Sequence, residues 1–450
     1  MPRLTQPTSQ TSRTLRSRPL PKLSLLALCC LSLVACGDAT TTLNELPPQL
    51  IEKPQQPKPN TEKGRLLVTD KNSGTVAVFD LNKAELINEL QLTSTAEYAY
   101  SSPSQRYAVL VQRAQDRVQF IDGGVWEEDH GDHMHPYAEA PQLMKFSLTG
   151  IRPTHVQTNQ RQIAVFNDGL ASAGAPASVD VISETVIATD SKTYPRLSYS
   201  THQHGAAQPR GEFLVSTIRD ATSSSTLPDT VGFYQQNGDG YRLQQTLTTR
   251  CPSLHGSAQN SSYVVFGCTD GVLWLEQQAA NVREGKIANT AAFTGTARIG
   301  TLEGHPNANH FIGMAGTSLY SIDVKQQKML PIEWQPSAGS ALAGYGFSAD
   351  GKRFAVLDNK GVLSVLNYQA TNDAAPFTLQ GKLTVVSDIS TMPTGSGLQL
   401  SLSGSDDRAY VLNPITRQVL VVDLVSLKIN RALQTQFVPH RLVWTGIAKS

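Results

Sequence analysis

The chain has 450 residues, with 38 basic and 37 acidic side chains and a formal net charge of +1. That balance offers no basic surface able to neutralise a run of phosphates, so composition excludes a nucleic-acid-binding class. Ten histidines and five cysteines are few enough to be placed one by one.

Residues 1–35 hold Arg3, Arg13, Arg16, Arg18 and Lys22, no acidic residue, and the apolar run from Leu23 to Val34. The run is too short to cross a bilayer as an ordinary helix and reads as an export signal. It ends in Leu33-Val34-Ala35-Cys36, which resembles a bacterial lipobox. Cys36 is therefore expected to become the lipidated first residue and membrane anchor, with an ordinary secretory cleavage site as the alternative. Gly37 in place of Asp leaves the outer membrane open, by analogy with lipoprotein sorting. The expected compartment is the periplasm. Without the five basic residues of the leader, 33 basic side chains face 37 acidic ones over 415 residues, a formal net charge of −4. Residues 36–63 contain Pro47, Pro48, Pro54, Pro57 and Pro59 and no histidine, the composition of a semi-extended tether. Cys29 and Cys30 leave with the signal, so Cys251 and Cys268 remain in the folded part. A pair in an exported protein reads as one disulfide, and a thiolate metal pair is the competing reading.

From Gly64 to the end, 64–450, short β-branched or alternating runs such as Thr75-Val-Ala-Val-Phe79 and Tyr263-Val-Val-Phe266 are separated by Gly, Asn, Asp and Ser turns. The class is all-β, in one domain. His155, His204, His255 and His305 are 49, 51 and 50 residues apart, and a period near fifty is that of β-propeller blades. The register predicts inner strands near Tyr98, His155, His204, His255, His305, Tyr345, Asp388 and His440, which makes eight blades; seven result if 283–300 is an insertion. The last strand, around His440, has no room for three more after it. It is expected to pair with the N-terminal strands and close the ring.

Chemistry concentrates in the insert 123–141, where His130, His133 and His135 lie beside Asp129 and Asp132. Spacings of three and five residues put these histidines on no common helix face, and only His133 and His135 would share a strand face, so a metal-binding loop is expected. A solvated polar loop is the bland alternative. His155, His204 and His255 are expected to line the channel mouth and to complete the site of His130, His133 and His135, with Asp132 as a ligand or as the partner of a ligating ring and Asp129, His305 and His440 as weaker candidates; two sites on two faces are the alternative. Imidazole ligands compete with protons, so affinity is expected to fall as pH drops through about 6.5.

The segments Gly123 to Tyr137, with its His-Gly-Asp-His-Met-His core, Cys251-Pro-Ser-Leu-His-Gly256, Phe266-Gly-Cys-Thr-Asp-Gly271 and Val438-Pro-His-Arg441 resemble the periplasmic zinc metallochaperones of Azt-type ABC import systems. The resemblance covers most of 64–446. It implies a β-propeller that binds zinc through histidine and carboxylate ligands and passes it to the solute-binding protein of a zinc importer. The chain departs from that pattern in lacking a histidine-bearing N-terminus and in its expected lipid anchor. Two other classes stand beside this one: a surface lipoprotein whose propeller binds another protein, and a metal-dependent hydrolase with Glu127, Glu128 or Asp129 as base. The chain has no serine nucleophile elbow, P-loop or dinucleotide motif, and a non-enzymatic role is expected.

Overall fold

The computed structural model describes residues 64–291, 293 and 298–449. The export signal, Cys36 and the tether expected at 1–35 and 36–63 lie outside them. Within the described residues the chain is all-β, with one short α-helix, Glu184–Thr189, capped by the Ser183 hydroxyl, which accepts the Val186 N–H. Strands such as Arg65–Asp70 and Tyr107–Gln112 are buried along their whole length. That requires apolar side chains on both faces and explains why these runs are continuous rather than alternating. The fourth strand of a unit, such as Glu85–Gln91 or Lys428–Gln434, is largely exposed.

The strands form six four-stranded sheets, one eight-stranded sheet and one two-stranded sheet. The eight-stranded sheet is two antiparallel four-stranded sets joined by the single parallel pair Arg196↔Gly240. The core is not one mass but a series of layers between neighbouring sheets. Phe213 and Phe233 of one set pack with Val264, Phe266 and Leu273 of the next, and Tyr410 and Val419 pack with Leu66, Phe79 and Trp444.

The C-terminal strand Pro439–Thr445 pairs antiparallel with Arg65–Asp70, matching Leu66 to Trp444 and Val68 to Leu442. Trp444 is fully buried. Gly64, at φ +119°, sits so close to it that a Cβ would come within 2.6 Å of the indole. The first strand of this sheet in space thus comes from the last residues in sequence, as expected.

Of the other first strands, one differs from the register read in the sequence and three lie within a few residues of it. Asp388 does not open a strand: its carboxylate accepts the Ser390 N–H in a turn, and the strand is Gln399–Leu402. The strands Ala207–Arg210 and Ser257–Gln259 begin just after His204 and His255, whereas Thr301–Glu303 ends just before His305. Equal spacing along the chain therefore hides opposite positions on the strand, because the connections before these strands differ in length. Of the stretch 283–300, residues 283–288 belong to the strand Asn281–Ala288, which pairs along its whole length with Gly271–Gln278.

The insert also differs from a loop. Val125–Asp129 and Met134–Ala138 form a two-stranded hairpin between the strands Arg117–Asp122 and Gln142–Thr149. Its register places Trp126 opposite Tyr137, and the two rings stack at 5.1 Å with the Arg106 guanidinium 3.7 Å over the indole. Cross-strand aromatic pairing of this kind stabilises a hairpin by fractions of a kcal/mol to about 1 kcal/mol. The histidine spacing describes only its tip.

Candidate metal centre

His155 is the third residue of Pro153–Asn159, next to a register shift between Pro153 and His155 that turns the strand locally. His204 and His255 lie in the connections that lead into the next two first strands, each fixed through its backbone: His204 N–H donates to Thr226 O and His255 N–H to Gly267 O. These three positions converge. The Nε2 atoms of His155 and His204 are 3.4 Å apart, and those of His204 and His255 3.2 Å. Among the described residues, this is the only group of three or more His, Cys, Asp or Glu whose ligand atoms all lie within 4.8 Å of one another.

The partners of the other ring nitrogens decide what the group can do. His204 Nδ1 is 3.0 Å from Asp168 Oδ2, and His255 Nδ1 is 2.7 Å from the Gly300 carbonyl oxygen. Both acceptors require the hydrogen on Nδ1, so in the neutral rings each Nε2 presents a bare lone pair. Two such lone pairs 3.2 Å apart repel unless a cation lies between them. Four ligands around zinc at 2.0–2.1 Å in a tetrahedron stand about 3.3 Å from one another, which is the spacing found here.

Burial, followed by the neighbouring His204, pushes the His155 imidazole down to about 4. Burial also lowers His255, against the opposing effect of its bond to Gly300. Both shifts, at His155 and His255, favour the unprotonated imidazole, the form that ligates metal. Asp168 oxygen Oδ2 also accepts from Thr154 Oγ1 at 2.8 Å and from Arg113 Nη2 at 3.1 Å. Burial alone would raise its carboxyl; the hydrogen bonds from His204, Thr154 and Arg113 outweigh it and hold the group below the usual carboxylate range. Asp168, Arg113 and Gly300 went unread in the sequence. Asp168 lies in Asn-Asp-Gly after a strand, a pattern indistinguishable from an ordinary turn.

The hairpin tip gathers the other expected ligands at the surface. The rings of His130 and His133 are 5.6 Å apart, those of His130 and His135 5.3 Å, and those of His133 and His135 6.3 Å. Asp132 Oδ1 is 2.7 Å from His133 Nδ1, Tyr137 Oη is 3.4 Å from His130 Nε2, and Asp129 Oδ1 accepts the Gly131 N–H. Their ligand atoms do not converge as those of the buried group do. The hairpin is held at its base by Arg65, which donates to the carbonyls of Gly123 and Glu139. Arg65 is the register partner of Thr445, at the end of the strand whose second residue is His440. The hairpin and His440 therefore lie toward opposite ends of that strand.

His305 and His440 join neither group. His305 lines a cavity of about 870 Å³ with Glu303 and Arg210 and rests on the Phe347 ring at 5.6 Å. His440 is half-buried in the final strand, and burial followed by Arg441 and Lys71 pushes it down to about 4. Cys251 and Cys268 are joined in a disulfide, so they are not a thiolate pair.

Fold and site together describe an all-β chain with a partly buried three-imidazole centre. No family model matches the chain. It resembles the zinc chaperone AztD of Citrobacter koseri, to which it is 24% identical over 393 residues, covering 85% of this chain and 86% of the relative. The crystal structure of Citrobacter koseri AztD superposes with a TM-score of 0.72 at 20% identity, covering 86% of this chain and 99% of that one. The apo AztD structure from the same organism also gives 0.72 at 20% identity, covering 86% and 98%. These superpositions establish the likeness of fold.

Proposed function

We propose that this chain is a periplasmic zinc chaperone that binds the ion between His155, His204 and His255 and hands it to the solute-binding protein of a zinc ABC importer. The observation that carries the reading is the approach of three Nε2 atoms, at 3.4 Å between His155 and His204 and 3.2 Å between His204 and His255, while the His204 and His255 rings donate their Nδ1 hydrogens to Asp168 and Gly300. The similarity to a zinc chaperone supports zinc over copper or nickel as the cargo. Three nitrogen ligands leave a fourth position for water or for a group of the receiving protein, as transfer by ligand exchange requires. The similarity to a zinc chaperone makes the reading a non-enzymatic one.

In this reading the sheets are eight propeller blades, the eight-stranded sheet counting as two, and the pairing of Arg65–Asp70 with Pro439–Thr445 closes the ring. A lipid on Cys36 and the tether behind it hold the propeller at the membrane. The hairpin histidines, with Asp132 and Asp129, form a second, exposed zinc site toward the opposite end of the blades. Greater exposure makes that site quicker to exchange than the partly buried one. The test is zinc stoichiometry and affinity by competition with a chromophoric chelator. Replacing His155, His204 and His255 by Ala removes the tighter equivalent, and replacing His130, His133 and His135 by Ala removes only the weaker. Full stoichiometry and unchanged affinity in the first variant would refute the assignment.

A further inference from the structure

The connection 249–256 carries His255 into the centre, yet little of its own sequence favours one conformation. Ser253 is held at φ +50°, in the left-handed region where a residue with a Cβ costs about 1 kcal/mol or more. Three ties hold the segment. Cys251, fully buried, is bonded to Cys268, which is equally buried and ends the strand Tyr263–Cys268. Arg298 donates to the Ser253 carbonyl at 2.7 Å. The backbone N–H groups of Cys251 and Leu254 donate to Asp229 and Pro228.

The same Cys268 strand also grips the histidine itself. Gly267, one residue before Cys268, accepts the His255 N–H at 3.0 Å and donates its own N–H to Gly256 at 3.2 Å. Thr269, one residue after, donates to Pro252. The covalent bond thus sits inside a short backbone ladder whose final rung is the ligand. His155, by contrast, lies within the strand Pro153–Asn159 itself.

We infer that the Cys251–Cys268 disulfide and Arg298 are positioning groups for zinc binding: they hold the strained turn at Ser253 so that His255 Nε2 meets the other two imidazoles. The inference rests on the group of His155, His204 and His255 being the zinc site. Without the staple, the turn can relax away from positive φ and the third ligand is no longer preorganised. Supporting groups of this kind change metal affinity by about 10- to 100-fold.

The test compares zinc affinity of the native protein, C251A/C268A, R298Q, H255A and C251A/C268A/H255A, each checked by circular dichroism and thermal unfolding. We expect C251A/C268A to bind zinc at least ten times more weakly, and R298Q to bind more weakly with its melting temperature within a degree or two of native. Adding C251A/C268A to H255A should cause no further loss of affinity, because the ligand being positioned is already gone. A purely structural disulfide would instead lower the melting temperature and leave zinc affinity within twofold; that result, or losses that add in the triple variant, would overturn the inference. R298Q keeps the staple and answers the question even if C251A/C268A does not fold. If the native protein binds no zinc, the zinc assignment itself fails; the His255 imidazole nitrogen resonances then test positioning alone. Retention in C251A/C268A of the native Nδ1–H tautomer donated to Gly300 would overturn it.

Discussion

Replacing Asp168 by Ala removes a carboxylate that touches no metal in the proposed arrangement, and yet zinc affinity should fall. Asp168 Oδ2 fixes the Nδ1–H tautomer of His204 at 3.0 Å and is itself held by Thr154 at 2.8 Å and Arg113 at 3.1 Å. Without it the His204 ring is free to rotate or to carry its hydrogen on Nε2, where it blocks the ligand lone pair. Loss of such a partner weakens metal binding about 10- to 100-fold, equivalent to roughly 1.4–2.7 kcal/mol. The fold itself should lose less than the sum of three hydrogen bonds, about 1–3 kcal/mol, because Arg113 is partly exposed and regains water. Chelator competition measures the affinity. Thermal unfolding with and without zinc measures it independently, since at fixed excess zinc the stabilisation by the ion shrinks by the same free energy. The sign of the pH effect is a further check. The Asp168 carboxyl lies below its ordinary value in the folded state, so its stabilisation is present above the unfolded value near 3.9 and is lost as pH falls through the folded one. That part of the acid loss should be absent in the variant. Native zinc affinity in a folded Asp168→Ala protein would refute the reasoning.

The depressed His155 reverses the pH expectation drawn from composition. Its folded value near 4 against about 6.5 unfolded means that the unfolded chain takes up a proton which the folded chain refuses, so stability falls between those values, by up to about 3 kcal/mol. Stability measured from pH 7 to 4 should show this slope, and His155→Gln should flatten it; an unchanged slope counts against the buried, neutral imidazole. At pH 5.5 this ligand still carries no proton, so protonation of His155 should not be what weakens zinc binding as pH passes through 6.5. Trp444→Ala should cost about 3–5 kcal/mol in a denaturant titration, because the indole is fully buried against the sheet formed by both ends of the described chain; a loss under 1 kcal/mol would mean that this seam is not a cooperative part of the fold. Cys36→Ser should abolish labelling by a radioactive or alkyne fatty acid in a bacterial host, and normal labelling would remove the anchor from the proposed function.

Much of the architecture was legible because it depends on local pattern. Continuous apolar runs such as Tyr107-Ala-Val-Leu-Val111 can satisfy their side chains only between two layers, and turn residues at short intervals divide them into strands. The incomplete sets at the two ends of the chain required each other, and Pro439–Thr445 does pair with Arg65–Asp70. Histidine content pointed to metal for the same local reason, that imidazole is a ligand wherever it is unprotonated. A period of about fifty residues grouped His155, His204 and His255 with His305 and His440, but the similar spacing to His305 was misleading. Position on a strand depends on the length of each preceding connection, and only pairing reveals that His255 precedes its strand whereas His305 follows its own. The hairpin was hidden because its stabilising contacts, Trp126 with Tyr137 and Arg106, flank the histidines and link residues distant in sequence. Tertiary structure alone decided the chemistry of the centre: Asp168 and Gly300 each take a ring hydrogen, and burial strips His155 of its proton. Sequence determines which groups can bind a metal, but the direction of their lone pairs and their protonation are set by neighbours that the fold brings from 36 and 45 residues away.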